Sequence, residues 1–274
     1  MFITFDLGRL LRLEKMRRGV DEGELVFINI ANVAKSVFCV GQAVLACRSR
    51  EVEFFGAYLQ DIVDYSIRLG FISPAQLSGL DEVEMLRVLG ELGERLSWRE
   101  HGERLLRATR TVTLFPEERR VYEGEFDRLR ASSRDKHRLG ELAEILYAES
   151  YPSIRWSFNW REYTLVGIPD GITNDFVYEF KSTGKLKNVP YRLREAMTQA
   201  DLYGCFFHRP KKKVQVYCWA TGRIEADEML KVDLRNAINT LEAFRRVDKG
   251  ETDAEPANPK LCKRCDFETC CPWK

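Results

Sequence analysis

The sequence predicts a mixed α/β protein: a central mixed sheet flanked by helices, with a helical N-terminal half and a cysteine cluster at the C-terminus. Three observations predict it. Residues 1 to 150 carry apolar positions at helical spacing in several successive runs, interrupted by few strand-like stretches. After Pro152, residues 154 to 170 alternate and are rich in aromatic residues, and further strand-like runs follow at 176 to 180 and 214 to 221. Four of the eight cysteines fall in the last 13 residues, behind a polar, proline-containing linker.

Taken in order, residues 1 to 20 form an amphipathic helix through Phe5, Leu7, Leu10, Leu11, Leu13 and Met16, broken by Gly23. A short strand follows, and Asn29 or Asn32 caps a helix carrying Val33, Val37, Phe38, Cys39 and Val40 up to a break at Gly41. Residues 52 to 69 have helical spacing, with Phe55, Leu59, Ile62 and Ile67 as core positions, and residues 74 to 108 continue as one or two helices. TVTLF is a strand candidate stopped by Pro116, and residues 134 to 149 are again helical. After Pro152 an aromatic strand or hairpin leads into Leu165–Ile168, which ends at Asp170. The turn-rich residues 171 to 175 reverse the chain into Phe176–Phe180. Pro190 starts a helix through Gln199 and Tyr203, RPKKK is a turn, VQVYCWAT is a strand, and residues 225 to 246 close as a helix. One domain over 1–274 is expected: 1–150 as the helical part with Cys39, 151–246 as the core, and 247–274 as linker and cysteine tail.

Composition excludes more than it assigns. Lysine plus arginine (43) almost balances aspartate plus glutamate (42), so any nucleic-acid face must be local. No apolar run reaches the roughly 18 residues of a membrane span. The first helix is studded with Arg9, Arg12, Arg17 and Arg18 where a signal peptide is apolar, so a cytoplasmic protein without membrane partners is expected. Eight unevenly spaced cysteines suit metal ligands or buried thiols better than a disulfide scaffold.

The chemistry-bearing residues gather in the second half. In a strand, residues two apart share a face, so Glu179 and Lys181 project together, and the hairpin brings Asp170 beside them. Two carboxylates and an amine form a hard-metal site for magnesium or manganese with a charge stabiliser attached; a structural Glu–Lys pair is the alternative. Gln199 and Tyr203 stand four apart on one helix face. Between them and the carboxylates lies a loop with Lys185, Lys187, Arg192 and Arg194 and no acid from Lys181 to Arg194, suited to phosphate contact. Cys262-x2-Cys265 lets two thiolates reach one ion from a single turn, and Cys271 returns as a third, with Cys270 its competitor. Cys39 is the best fourth ligand and Cys47 the next; zinc and iron–sulfur are both open on ligand type. Cys205 and Cys218 read as core thiols, and of the three histidines only His101 is a candidate for metal contact.

Gly167-Ile-Pro-Asp170, Glu179-Phe-Lys181 followed by Ser-Thr-Gly-Lys, and Gln199-x3-Tyr203 together resemble the RecB-like branch of the PD-(D/E)XK nucleases. One cysteine in an early helix with Cys-x2-Cys-x5-Cys at the C-terminus is similar to its iron–sulfur members, above all the CRISPR-associated Cas-four family and the AddB helicase–nucleases. The resemblance covers residues 27 to 60 and 163 to 273. It implies a restriction-endonuclease-like fold, with Asp170, Glu179 and the Phe180 carbonyl on a divalent metal and Lys181 as the catalytic lysine. Gln199 and Tyr203 are then the helix motif, and Cys39, Cys262, Cys265 and Cys271 hold a four-iron four-sulfur cluster, with zinc the alternative. It further implies a metal-dependent DNA exonuclease on single-stranded ends, processing fragments for CRISPR spacer acquisition beside the CRISPR integrase complex. A catalytically weak DNA-binding or scaffolding subunit, and the nuclease of a repair or recombination complex, are the alternatives. One departure stands out: the family's metal-binding histidine after Gly-x3 corresponds to Gln60 in Gly56-Ala-Tyr-Leu-Gln60, a weaker oxygen ligand for which His101 is the possible substitute.

Overall fold

The computed structural model describes residues 6–109, 111, 114–132, 135–256 and 259–273. In chain order the elements are α1 (Leu7–Arg18), β1 (Phe27–Asn29), α2 (Ile30–Ala34), α3 (Val40–Arg48), α4 (Glu51–Arg68), α5 (Pro74–Leu77), α6 (Glu82–Arg95), α7 (Glu103–Arg107), α8 (Pro116–Ser132), α9 (Lys136–Tyr147), β2 (Trp156–Trp160), β3 (Tyr163–Gly167), β4 (Gly171–Ile172), β5 (Phe176–Thr183), α10 (Val189–Phe206), β6 (Lys211–Cys218), β7 (Arg223–Lys231) and α11 (Leu234–Asp248). The mixed α/β class holds, with two sheets. The chain forms two compact units, one from residues 1–108, 155–168 and 243–274, the other from residues 109–154 and 169–242. No described helix is long and apolar enough to cross a membrane.

The first unit is built on the sheet β1-β3-β2, parallel between β1 and β3 and antiparallel between β3 and β2. Helix α1 starts where the Asp6 carboxylate accepts the Gly8 and Arg9 N–H groups, and stops at Gly19, whose φ of 67° is a left-handed cap. Its Lys15 is buried with Glu51 at 2.7 Å, and Glu51 also accepts the N–H groups of Val26 and Phe27, tying α4 to the edge of β1. Phe27 packs on Phe55 with ring centroids 4.9 Å apart.

The second unit carries the sheet β4-β5-β6-β7, antiparallel, parallel and antiparallel in turn, with α10 as the crossover between β5 and β6. Tyr178 and Phe180 of β5 pack with Phe126, Leu139, Leu142 and Leu146 of α8 and α9, while Val216 and Cys218 of β6 pack with Val189 of α10. Most of β5 and β6 is buried, yet each strand mixes apolar with polar residues, Glu179 and Lys181 in β5 and three lysines and Gln215 in β6. Asp201 on α10 clamps the unit: it pairs with the buried Lys212 of β6 and accepts the Asp233 N–H at 2.7 Å and the Asn236 amide at 2.9 Å, at the start of α11.

Several expectations need correction. Leu165–Val166 belongs to β3 in the first sheet, and the hairpin with β5 is made instead by Gly171 and Ile172, paired with Tyr178 and Val177. Cys39 is not inside a helix: α2 ends at Ala34, and Cys39 has extended backbone as the cap of α3, whose first turn contains Gly41. Lys211 to Lys213 open β6 rather than forming a turn. Residues 223–231 are strand, because pairing with β6 outweighs the helix-favouring Glu, Met and Leu of that stretch, and the helix begins only at Leu234. Residues 116–132, unassigned from sequence, are helical, with the Phe115 N–H taken by Glu118 at 3.0 Å. Phe5 and residues 112–113 of TVTLF lie outside the described residues; Thr111, Leu114 and Phe115 are not in a strand.

Candidate functional site

The second unit brings Asp170, Glu179 and Lys181 together. Strand alternation puts Glu179 and Lys181 on one face of β5, opposite Tyr178 and Phe180. Glu179 is fully buried; its Oε1 pairs with Lys181 Nζ at 2.5 Å, and its Oε2 is buried with no hydrogen-bond partner. Asp170 stands immediately before β4, with its Oδ2 accepting the Phe180 N–H at 2.7 Å. The next residue, Gly171, packs closely on Tyr151, where a Cβ would lie 2.5 Å from Tyr151 Cβ.

The electrostatics are those of an acid cluster short of positive charge. Burial pushes the Asp170 carboxyl up against the opposing pull of Lys181 and the Phe180 N–H. Burial, with the Asp170 charge added, pushes Glu179 well above the glutamate range. Partial burial of its carboxyl, with the Asp170 charge added, raises Glu144 on α9 to about 7, although the residue as a whole is exposed. Lys181 is held protonated: burial opposes its charge, but Glu179, Asp170 and Glu195 outweigh it.

Helix α10 contributes a buried polar row, Glu195, Gln199 and Tyr203, at successive four-residue steps. Gln199 Nε2 lies 3.5 Å from the Tyr203 hydroxyl, and its Oε1 is buried without a partner. Glu195 pairs with Arg192 at 2.7 Å. Sequence reasoning missed Glu195 and Glu144. The first was legible as one more step of the Gln199-x3-Tyr203 spacing. The second sits beside the apolar stripe Leu139, Leu142, Ala143 and Leu146, and its one signal in the sequence is the spacing Gly140-x3-Glu144.

Lys185, Lys187, Arg192 and Arg194 are all exposed. The loop carrying the first two is pinned at Gly184, where a Cβ would meet Trp219 Nε1 at 2.4 Å; the Trp219 N–H also donates to Thr183 O at 3.0 Å.

The remaining residues singled out from sequence lie in the first unit. Gln60 is exposed on α4 and donates to Asp64 at 2.8 Å. His101 accepts the Ser97 N–H through Nδ1 at 3.2 Å and packs edge-on against Phe71. The Cys39 thiol stands at the start of α3; burial, with smaller contributions from Cys262 and Cys271, raises its pKa against the opposing pull of the Gln42 and Gly41 N–H groups. Cys265 follows Cys262 in a short turn, its N–H on Cys262 O at 3.1 Å, while Cys270 is exposed with its Sγ on Phe267 O at 3.8 Å. Cys47 is fully buried, its thiol pushed up to about 12, and Cys218 is likewise buried. Among the described residues no group of three or more His, Cys, Asp or Glu side chains is already arranged to hold a metal ion.

No family model matches the chain, and no curated protein is similar to it. A solved structure described as "Crystal structure of SSO0001" aligns over 100% of this chain and 99% of its own, at 14% identity and a TM-score of 0.40, a level of likeness that carries no argument about fold or function.

Proposed function

We propose that the second unit carries a divalent-metal-dependent phosphodiesterase centre that degrades DNA, an exonuclease on single-stranded ends with a restriction-endonuclease-like core. The observation that carries this reading is the Glu179 Oε2 atom: a buried carboxylate oxygen without a partner, beside a second, half-buried carboxyl at Asp170. Magnesium or manganese takes oxygen ligands of this kind, so the residues fit the ion. Asp170 and Glu179 would hold it, with the Phe180 carbonyl as a further oxygen. Glu144 follows Gly140 at the same Gly-x3 spacing as Gln60 follows Gly56, and it shares a unit and an electrostatic coupling with Asp170. It is therefore a better third acid than Gln60 or His101. Bound there, the cation supplies Lewis-acid activation of the phosphodiester. Lys181, kept protonated by Glu179 and Glu195, presents a fixed positive charge to the developing negative charge on the phosphate. Gln199 and Tyr203 buttress that lysine from α10.

In the first unit, Cys39, Cys262, Cys265 and Cys271 would hold a four-iron four-sulfur cluster, with zinc as the alternative. The soft donor set and the helix N–H groups on Cys39 Sγ suit either. Cys271 fits better than Cys270, being the one that acts on Cys39. Trimming DNA for CRISPR spacer acquisition, with the CRISPR integrase complex as partner, is the process this reading favours; a repair nuclease would do the same chemistry for other partners. Gln60 in the histidine position favours the second reading, a catalytically weak DNA-binding subunit.

A manganese-dependent assay on end-labelled single-stranded DNA separates them. Asp170→Ala and Glu179→Gln should abolish cleavage with unchanged circular dichroism, and undiminished activity in either variant overturns the assignment. Protein purified without oxygen should be brown and contain iron and sulfide; colourless protein with stoichiometric zinc rejects the cluster.

A further inference from the structure

We infer that Leu186, in the turn following Lys181, and Tyr191, in the first turn of α10, form a base-contacting platform and are the residues that set a preference of this site for an unpaired strand over a duplex; the inference rests on the reading of the site as a phosphodiester-cleaving centre. Leu186 and Tyr191 are 54% and 52% exposed, six residues from first to last. Lone exposed apolar residues are commonplace on protein surfaces. Here they are set among Lys185, Lys187 and Arg194, all exposed and none in an ion pair with a described residue, while Arg192 is shared with Glu195. No acid interrupts the run from Lys181 to Arg194.

The two kinds of side chain make different demands on a ligand. Cations serve any phosphate backbone. A leucine offers nothing to phosphate and a tyrosine only its hydroxyl, but their apolar bodies match the faces of bases, which a duplex hides in its stack and a single strand exposes. The platform is also rigid. Trp219 packs on Gly184, the Asn188 N–H closes a turn onto Lys185 O at 2.9 Å, and Pro190 sits in the first turn of α10. Rigidity lowers the ordering cost of binding. Lys185 is four positions after Lys181, a backbone span of at most about 14 Å. A strand stacked on the platform therefore keeps a phosphate within reach of Lys181.

The test uses full-length Asp170→Ala protein in EDTA and fluorescence polarisation with oligo-dT, oligo-U and a blunt duplex of equal length. Single strand should bind more tightly than duplex, and binding of either oligo-dT or oligo-U supports the platform. Adding Leu186→Ala and Tyr191→Ala should weaken single-strand binding roughly 10-fold or more, within the range spanned by base–aromatic stacking, and leave the duplex almost unchanged. Tyr191→Phe should retain binding, since the ring and not the hydroxyl makes the contact. Both exposed sites tolerate truncation, and circular dichroism confirms the fold. Equal affinity for single strand and duplex, an equal loss on all probes, or no loss overturns the inference. Binding is read without metal. A protein that grips the strand but does not cleave it with manganese therefore sinks the nuclease reading alone, and one that cleaves without this preference sinks the platform and the single-strand choice of substrate while leaving the phosphodiesterase centre standing.

Discussion

Replacing Asp170 by asparagine separates the charge of the site from its geometry. The amide oxygen can still accept the Phe180 N–H that now meets the carboxylate at 2.7 Å, while the negative charge is gone. Burial holds Asp170 above its ordinary value of 3.8 even though Lys181 and the Phe180 N–H favour the charged form. A raised native pKa means that the folded protein keeps a proton which the unfolded chain has released. Its contribution is fully present below the unfolded value and is lost as pH rises through the native one. Within that window the wild-type protein in EDTA should lose about 1.4 kcal/mol per pH unit for this group. Asparagine removes that slope, so the variant should be the more stable protein at neutral pH without metal. Metal reverses the order. Manganese at about 100 times its dissociation constant adds about 2.7 kcal/mol to a protein that binds it only when folded, and the variant should gain little of this. Urea titrations at several pH values, in EDTA and in manganese, measure both effects. A variant less stable than wild type in EDTA at neutral pH, or one that gains as much from manganese, would refute the reasoning.

Three further outcomes are expected. Asp201→Ala should cost about 3–5 kcal/mol in urea unfolding, because it strands the buried Lys212 ammonium; Lys212→Met should cost less, since Asp201 keeps the Asp233 N–H and the Asn236 amide. Gly184→Ala should cost about 1–3 kcal/mol by forcing Trp219 off the loop, and Trp219→Leu in the same protein should return part of it. Glu144→Gln should raise the manganese concentration needed for half-maximal cleavage, whereas Gln60→Ala, at an exposed position, should leave that requirement unchanged and shift stability by no more than about 0.5 kcal/mol.

Much of the centre was legible because its signals are local. A strand reading Phe-Val-Tyr-Glu-Phe-Lys must place its two charges on one face whatever sheet it joins, and Glu179 and Lys181 do meet. Gln199 and Tyr203 share a helix face for the same reason. Decisions made by distant residues were not legible. Whether the apolar run before Asp170 pairs with β5 or with β1 depends on a partner strand some 137 positions earlier, where the Asn29 amide reaches Val166 O at 3.2 Å. Strand β7 has the composition of an exposed helix, and only β6 makes it a strand. Glu144 and Glu195 looked like solvated helix positions, since their significance lies in the carboxyls and ammonium they face and not in their own neighbours in sequence.

Two buried carboxylates of the second unit contrast a satisfied buried acid with an unsatisfied one. Asp201 is complete: Lys212, the Asp233 N–H and the Asn236 amide satisfy it, and the clamp holds α10 against β6 without further help. Glu179 is equally buried and is incomplete, with one oxygen on Lys181, the other on nothing, and a second carboxyl alongside. Filling that position with an amide donor or an apolar side chain would remove the penalty. The chain instead surrounds the same unsatisfied oxygen with a protonated lysine, two further acids at Asp170 and Glu144, and the polar row of α10. An arrangement that costs stability and leaves one valence open is accounted for if a cation completes it, and Asp201 shows that this fold can satisfy a buried acid where no ligand is required.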